Sequence, residues 1–161
     1  MPRVGLISDT HGLLRPEAKA FLEGCDRIIH GGDIGNPDIL EQLAALAPLT
    51  VVRGNNDQGE WAEDLAETQI LQVDEVSIYV IHDIARLAID PHAAGMRVVV
   101  SGHSHVPAIT ERGGVLYVNP GSAGPRRFKL PIAAGELAIA GKAISADIVR
   151  FGGDVAGHTK S

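Results

Sequence analysis

The sequence predicts a mixed α/β sandwich, on two observations. Residues 3–53 alternate short apolar runs with amphipathic segments, a βαβαβ order that implies parallel strands. From residue 68 onward the chain instead pairs apolar runs across tight-turn residues, which implies antiparallel hairpins. A purely doubly wound sheet would lack that second half.

The elements follow in order. Residues 3–8 (Arg3-Val4-Gly5-Leu6-Ile7-Ser8) form a strand, and residues 16–22 a helix that carries Pro16 in its first turn. Residues 27–30 are a second strand. Pro37 opens a helix to residue 47, with Ile39, Leu40, Leu43 and Leu46 on one face and Pro48 ending it. Residues 49–53 are a third strand. Residues 68–73 and 76–81 pair across Asp74-Glu75, and residues 84–94 are expected to be irregular or helical. Strands at 98–101, 108–112 and 115–118 follow, the last two joined by Gly113-Gly114. Residues 132–139 and 142–150 form a last hairpin across Ala140-Gly141. One domain over residues 1–151 is expected, with 152–161 a Gly-rich, flexible tail.

The composition narrows the function classes. Hydrophobic residues are 45% and charged residues 21% of 161, enough for a substantial core. Aromatics at 4% are too few for a base-stacking platform, and a net charge of −6 opposes a broad phosphate-backbone footprint. No long nucleic acid is therefore expected as a partner. Cys25 is the single cysteine, so neither an internal disulfide nor a thiolate zinc site can form. No apolar run reaches membrane-spanning length, and the first residues enter a strand without a signal-like segment. A cytoplasmic enzyme without membrane contact is the expectation.

Chemistry concentrates where the strand runs end. Asp9-Thr10-His11-Gly12, Gly31-Gly32-Asp33, Gly54-Asn55-Asn56-Asp57, His82 and Gly102-His103-Ser104-His105 each close an apolar run. Oxygen and nitrogen ligands converging from several strand ends suit divalent ions. Each cluster also has a plainer reading. Asp9 can cap a turn beside an exposed His11, Gly32-Asp33 and Gly54-Asn55-Asn56-Asp57 are turn sequences, and a lone His82 can sit satisfied at a strand end. Only His103 and His105, two apart after a strand and a glycine and before Pro107, favour metal by themselves.

Taken in series, these motifs resemble the calcineurin-like metallophosphoesterases, and more narrowly the short bacterial and archaeal phosphodiesterases of the YfcE type. Asp9-Thr10-His11-Gly12, Gly31-Gly32-Asp33-Ile34-Gly35, Gly54-Asn55, Gly102-His103-Ser104-His105-Val106-Pro107 and Asn119-Pro120-Gly121-Ser122 match in family order. The resemblance implies a metallophosphoesterase-type sandwich of two mixed β-sheets flanked by helices. It also implies two divalent ions, one held by Asp9, His11, Asp33 and His105 and the other by Asp33, Asn55, His82 and His103. Manganese is the first choice of metal, with Fe, Ni, Co and Zn also suited to such ligands. The implied reaction is hydrolysis of a small phosphate ester, most simply a phosphodiester, by a metal-bridging hydroxide.

Two residues depart from the family pattern. Asn56 stands where many members carry a histidine that protonates the leaving group, and an amide cannot supply that proton. Asn56 could instead donate a hydrogen bond to a phosphoryl oxygen. Asp57 could act as substitute acid or support the ligands, although a polar turn accounts for both residues equally well. Good leaving groups, such as aryl phosphodiesters, should then be favoured. Asp83 replaces the glycine usual after His82 and could orient that histidine or cap the next segment. Asn119 and Ser122 are expected to shape the turn under His103–His105, and His30 to support the sheet. Arg126 and Arg127 are either exposed or positioned to meet a substrate phosphate. His92 and His158 have no motif context. The competing function is a catalytically weak scaffold or binding module on the same fold; the complete ligand set opposes it. Exposed hairpins would permit a homo-oligomer.

Overall fold

A computed structural model describes residues 2–127 and 129–151. It contains two five-stranded sheets. The strands are β1 (Arg3–Ile7), β2 (Arg27–His30), β3 (Leu49–Val51), β4 (Thr68–Val73), β5 (Val76–Ile81), β6 (Val98–Val100), β7 (Ala108–Arg112), β8 (Val115–Asn119), β9 (Ile132–Ala140) and β10 (Ala143–Phe151). The helices are α1 (Pro16–Leu22), α2 (Pro37–Ala44) and α3 (Glu60–Glu63). The 152–161 tail lies outside the described residues.

The first sheet runs β10-β9-β1-β2-β3 and the second β4-β5-β6-β8-β7. Both are mixed. β1, β2 and β3 are parallel, while β9 and β10 join antiparallel. In the second sheet β5, β6 and β8 are parallel, with β4 and β7 antiparallel at the edges. The two halves recognised in the sequence do not map one to each sheet. The last hairpin returns to β1 and completes the first sheet, so the chain closes on itself.

Strand alternation explains the packing. Val4, Leu6, Ile29, Leu137 and Ile139 from the first sheet meet Ile78, Val80, Val98, Val100 and Val118 from the second, all buried. The other face of the first sheet presents Ile7 and Ile28 to α1 and α2, which supply Ala18, Leu22, Ile39 and Leu43. Asn36 caps α2 by accepting the Asp38 N–H at 2.9 Å, and Pro37 occupies its first turn. Tyr79, Ile81, Met96, Val99 and Val115 form a third cluster on the outer face of the second sheet, under Leu87 and Ile89.

Several strand bounds shift by one or two residues from the sequence reading, and α2 and α3 differ more. The helix opened by Pro37 ends at Ala44 rather than 47, because Pro48 disfavours helical backbone just before it. Residues 84–94 are irregular, the first of the two readings given for them, with one 3-10 turn at Ile84–Arg86; Pro91 interrupts the segment and its apolar residues flatten onto the sheet. The short α3 forms between β3 and β4, where the sequence reading placed no element.

Candidate metal centre

All the clusters sit beyond the C-terminal ends of β1, β2, β3, β5 and β6, at one edge of the sandwich. Parallel strands carry their exits to the same edge, so residues 94 positions apart become neighbours. Two groups result: Asp9, His11 and His105, and Asp33, His82 and His103, each with one ligand atom per residue and all three atoms within 4.8 Å. Asn55 joins the second group, its Oδ1 lying 3.0 Å from His82 Nε2 and 3.2 Å from His103 Nδ1. Asp33 Oδ2 is 3.2 Å from His82 Nε2 and 3.7 Å from His11 Nε2, between the two groups. The structure thus brings together all seven ligands named from sequence.

The backbone is unusual at these positions. Six described non-glycine residues have φ between +46° and +71°: Asp9, His11, Asp33, His103, His105 and the hairpin residue Asp74. Five of the six are ligand candidates. Left-handed backbone costs an ordinary residue about 1 kcal/mol, and such strain gathers where function needs a side chain aimed. Glycines permit the crowding. A Cβ at Gly54 would overlap the backbone and carboxylate of Asp33, and one at Gly102 would overlap Ser8 and the Asp9 carboxylate.

Hydrogen bonds fix which atom Asp9 and His82 offer. Asp9 Oδ2 accepts from Ser8 Oγ at 2.7 Å and from the His103 N–H at 3.1 Å. Its Oδ1 has no hydrogen-bond partner, although it is buried and faces His105 Nε2 at 3.5 Å and His11 Nε2 at 3.7 Å. A buried orphan acceptor is costly unless a cation satisfies it. His82 Nδ1 lies 2.6 Å from the Gly31 carbonyl, which can only accept, so Nδ1 carries the proton and the Nε2 lone pair faces the cluster. His11 Nε2 and His105 Nε2 face each other at 3.3 Å. The donor set fits divalent cations on these grounds.

Electrostatics agree. Burial pushes the Asp9 carboxyl up, but the facing His105 and His11 imidazoles and the Ser8 hydrogen bond outweigh it and hold Asp9 well below the carboxylate range. Asp33 is likewise held low against its burial, by His82 and the Asn56 N–H. Contact with Asp9 raises His11 despite burial, and His82 is raised because Asp33 and Asp9 overcome its burial. Without metal, the imidazoles offset the charge of two adjacent carboxylates.

Beneath the ligands lies a support that sequence reading detected only in part. His30 is fully buried; its Nδ1 accepts the Gly32 N–H at 3.0 Å, so Nε2–H donates to Thr10 Oγ1 at 3.0 Å. Thr10 in turn donates to the Ile34 carbonyl at 2.9 Å. This strut ties the Asp9–His11 loop to the Asp33 loop. Burial pushes the His30 imidazole down to about 4, consistent with a neutral ring. Ser122 Oγ donates to the Asp9 carbonyl, and Asn119 Nδ2 donates to the Gly102 carbonyl and Ser104 Oγ, so both shape the loops as expected.

The remaining candidates are placed as follows. The Asn56 N–H donates to Asp33 Oδ1 at 2.8 Å and its Nδ2 to Asp33 Oδ2 at 3.3 Å. Asp57 is 1% exposed, and its two oxygens accept the N–H groups of Asp33, Ile34, Gly35 and Gly54. Nothing in the local sequence signals that clamp, because three of the four donors lie more than twenty residues away. Asp83 caps the following turn through Ala85 and stands 3.8 Å from His103 Nε2, whereas the Gly31 carbonyl orients His82. Arg126, Arg127 and His92 are exposed; His158 lies outside the described residues.

A two-sheet sandwich with two His/Asp ligand groups at its strand exits defines the metallophosphoesterase class. Residues 3–141 match the calcineurin-like phosphoesterase superfamily domain, and the chain belongs to that family. It is 33% identical to a probable metallophosphoesterase of Methanothermobacter thermautotrophicus, over 94% of each chain. Its fold is similar to that of Vps29 from Chaetomium thermophilum, at 18% identity and a TM-score of 0.83 over 100% of this chain and 94% of that one. The E. coli phosphoesterase YfcE matches at 22% identity and a TM-score of 0.66, over 84% of this chain and 88% of the other.

Proposed function

We propose that the protein is a dinuclear-metal phosphodiesterase acting on small phosphate esters. One observation carries this reading most: Asp33 Oδ2 stands between two groups whose free lone pairs converge, beside the partnerless buried Asp9 Oδ1. Two divalent ions held there, manganese first among them, would supply Lewis acidity and an activated water for in-line displacement at phosphorus. Asp9, His11, Asp33 and His105 would hold one, and Asp33, Asn55, His82 and His103 the other.

The chain's own residues set the rest. Asn56 holds both oxygens of Asp33, and the second hydrogen of its Nδ2 is free to meet a phosphoryl oxygen. Asp57 acts as the clamp of the Asp33 and Gly54 loops rather than as a proton donor to the cleft. With neither residue delivering a proton, the leaving group departs as an anion, and general-acid help of roughly 10²–10⁴-fold is forgone. Vps29-like neighbours share the fold and make a scaffold role the rival reading, but a chain released from catalysis has no need to keep seven candidate ligands together, five of them in strained backbone.

Turnover of bis-p-nitrophenyl phosphate by the manganese-loaded protein, falling by roughly 10²-fold or more in Asp33→Asn, is the expected result. Rates across aryl diesters should drop steeply as the leaving group becomes more basic. No turnover with two metals bound, or a flat dependence on the leaving group, would contradict the reading.

A further inference from the structure

Beside the metal centre, the outer face of the second sheet is only half covered. The segment after His82 packs Leu87 and Ile89 over β5 and β6, leaving β7 and the end of β8 bare. Between Ile84 and β7 lies an open trough of about 410 Å³, within the roughly 300–1,000 Å³ usual for small-molecule sites.

Its near rim belongs to the loops of the metal centre. Ser104 separates His103 from His105, Ile84 follows Asp83, and Asn119 Nδ2 ties Ser104 to the end of β8. Its floor is formed by alternate residues of one sheet face, Ala108 and Thr110 on β7 and Tyr117 on β8. The lining is mostly apolar, and Ile84 and Val106 at the rim are 37% and 47% exposed. The far end is cationic. The Arg112 guanidinium stacks on the Tyr117 ring at 4.3 Å and has no anionic partner among the described residues. Ala108 pairs with Asn119 at the rim and Arg112 with Val115 at the far end, a run of five residues spanning about 13 Å.

We propose that this trough binds the retained ester group of the substrate, and that the group it takes is elongated, apolar along its length and anionic at its end. The proposal rests on the phosphoesterase reading of the metal centre and names a substrate class for it. Two features favour this occupant over a protein segment: the trough is continuous with the ligand loops, and its one charge sits at the distance where such a group would end. An arginine at that end selects carboxylate or phosphate termini.

The test compares three p-nitrophenyl phosphodiesters on the manganese-loaded protein: one with a phenyl second ester, one with an octyl arm, and one with an octyl arm ending in carboxylate. KM is expected to fall along that series. Arg112→Gln should raise KM for the carboxylate substrate about tenfold, with kcat held and the phenyl diester unaffected. Thr110→Trp, which fills the trough, should raise KM for both armed substrates. Equal KM values for all three substrates, or variants that act equally on all, would overturn the proposal. If even the phenyl diester is not turned over, the phosphoesterase reading fails, and calorimetric titration with the carboxylate-armed diester decides the trough separately. Saturable binding weakened by Arg112→Gln upholds it, and no binding overturns it.

Discussion

The space between the sheets and the edge above it follow opposite rules. Between the sheets, alternate residues of regular strands bury Leu6, Ile29, Ile78, Val100 and Leu137 in ordinary backbone. At the edge, a few residues further along the same strands, five polar side chains sit in left-handed backbone and a buried carboxylate oxygen goes unpartnered. The end of β1 shows the change in three residues: Ile7 is core, Ser8 is a hydrogen-bond donor and Asp9 is a candidate ligand in left-handed backbone. The difference teaches that the core supplies the rigidity, while the edge spends stability to aim side chains at one place.

That contrast can be broken by substitution. Leu137→Ala should cost roughly 2–5 kcal/mol of stability while leaving metal stoichiometry unchanged, as read by denaturant unfolding and metal analysis. Loss of metal at full folding would mean that core and edge are not separable.

His30 tests the strut below the ligands. Its folded value near 4 lies below the unfolded value of about 6.5, so the unfolded chain binds the extra proton between those limits. Its contribution is therefore intact above pH 6.5 and is lost as pH falls toward 4, by about 3 kcal/mol. His11 and His82, raised in the folded state, act in the opposite sense: their contribution is present below the unfolded value and lost as pH rises through the folded one. The comparison must therefore be with His30→Asn in chelator, which should be less stable at neutral pH but lose about 3 kcal/mol less on acidification. Parallel pH profiles would sink this account of His30.

The smallest effect concerns strain. His103 is exposed at φ +71°, so His103→Gly should stabilise the metal-free protein by about 1 kcal/mol while weakening metal binding. A variant less stable without metal would show that the left-handed backbone there is not strained.

The legible parts of the molecule were those set by local pattern. Apolar runs located nearly every strand, and a glycine beside a ligand-type residue at four of the five run ends located the centre, because parallel strands carry those ends to one edge. Pairing was less legible: the final hairpin joins β1 across more than a hundred residues, and no local signal records that. The same non-locality hid the Asp57 clamp and the proton position on His82, which depend on N–H and carbonyl groups contributed by other loops. Residues 84–94 left an irregular and a helical reading open, because an apolar segment laid flat on a sheet and an amphipathic helix share a composition; the irregular one holds.

The account rests on a centre built for two cations that share Asp33. Metal analysis with thermal unfolding, in chelator and in manganese, tests this most directly. The wild-type chain should bind two ions and, at a hundredfold excess over Kd, gain about 2.7 kcal/mol per site, raising Tm by roughly 10–20 °C for the two together. Asp33→Asn should lose at least one ion and most of that shift. A wild-type chain that binds no metal, with the same Tm in chelator and in manganese, would contradict the account.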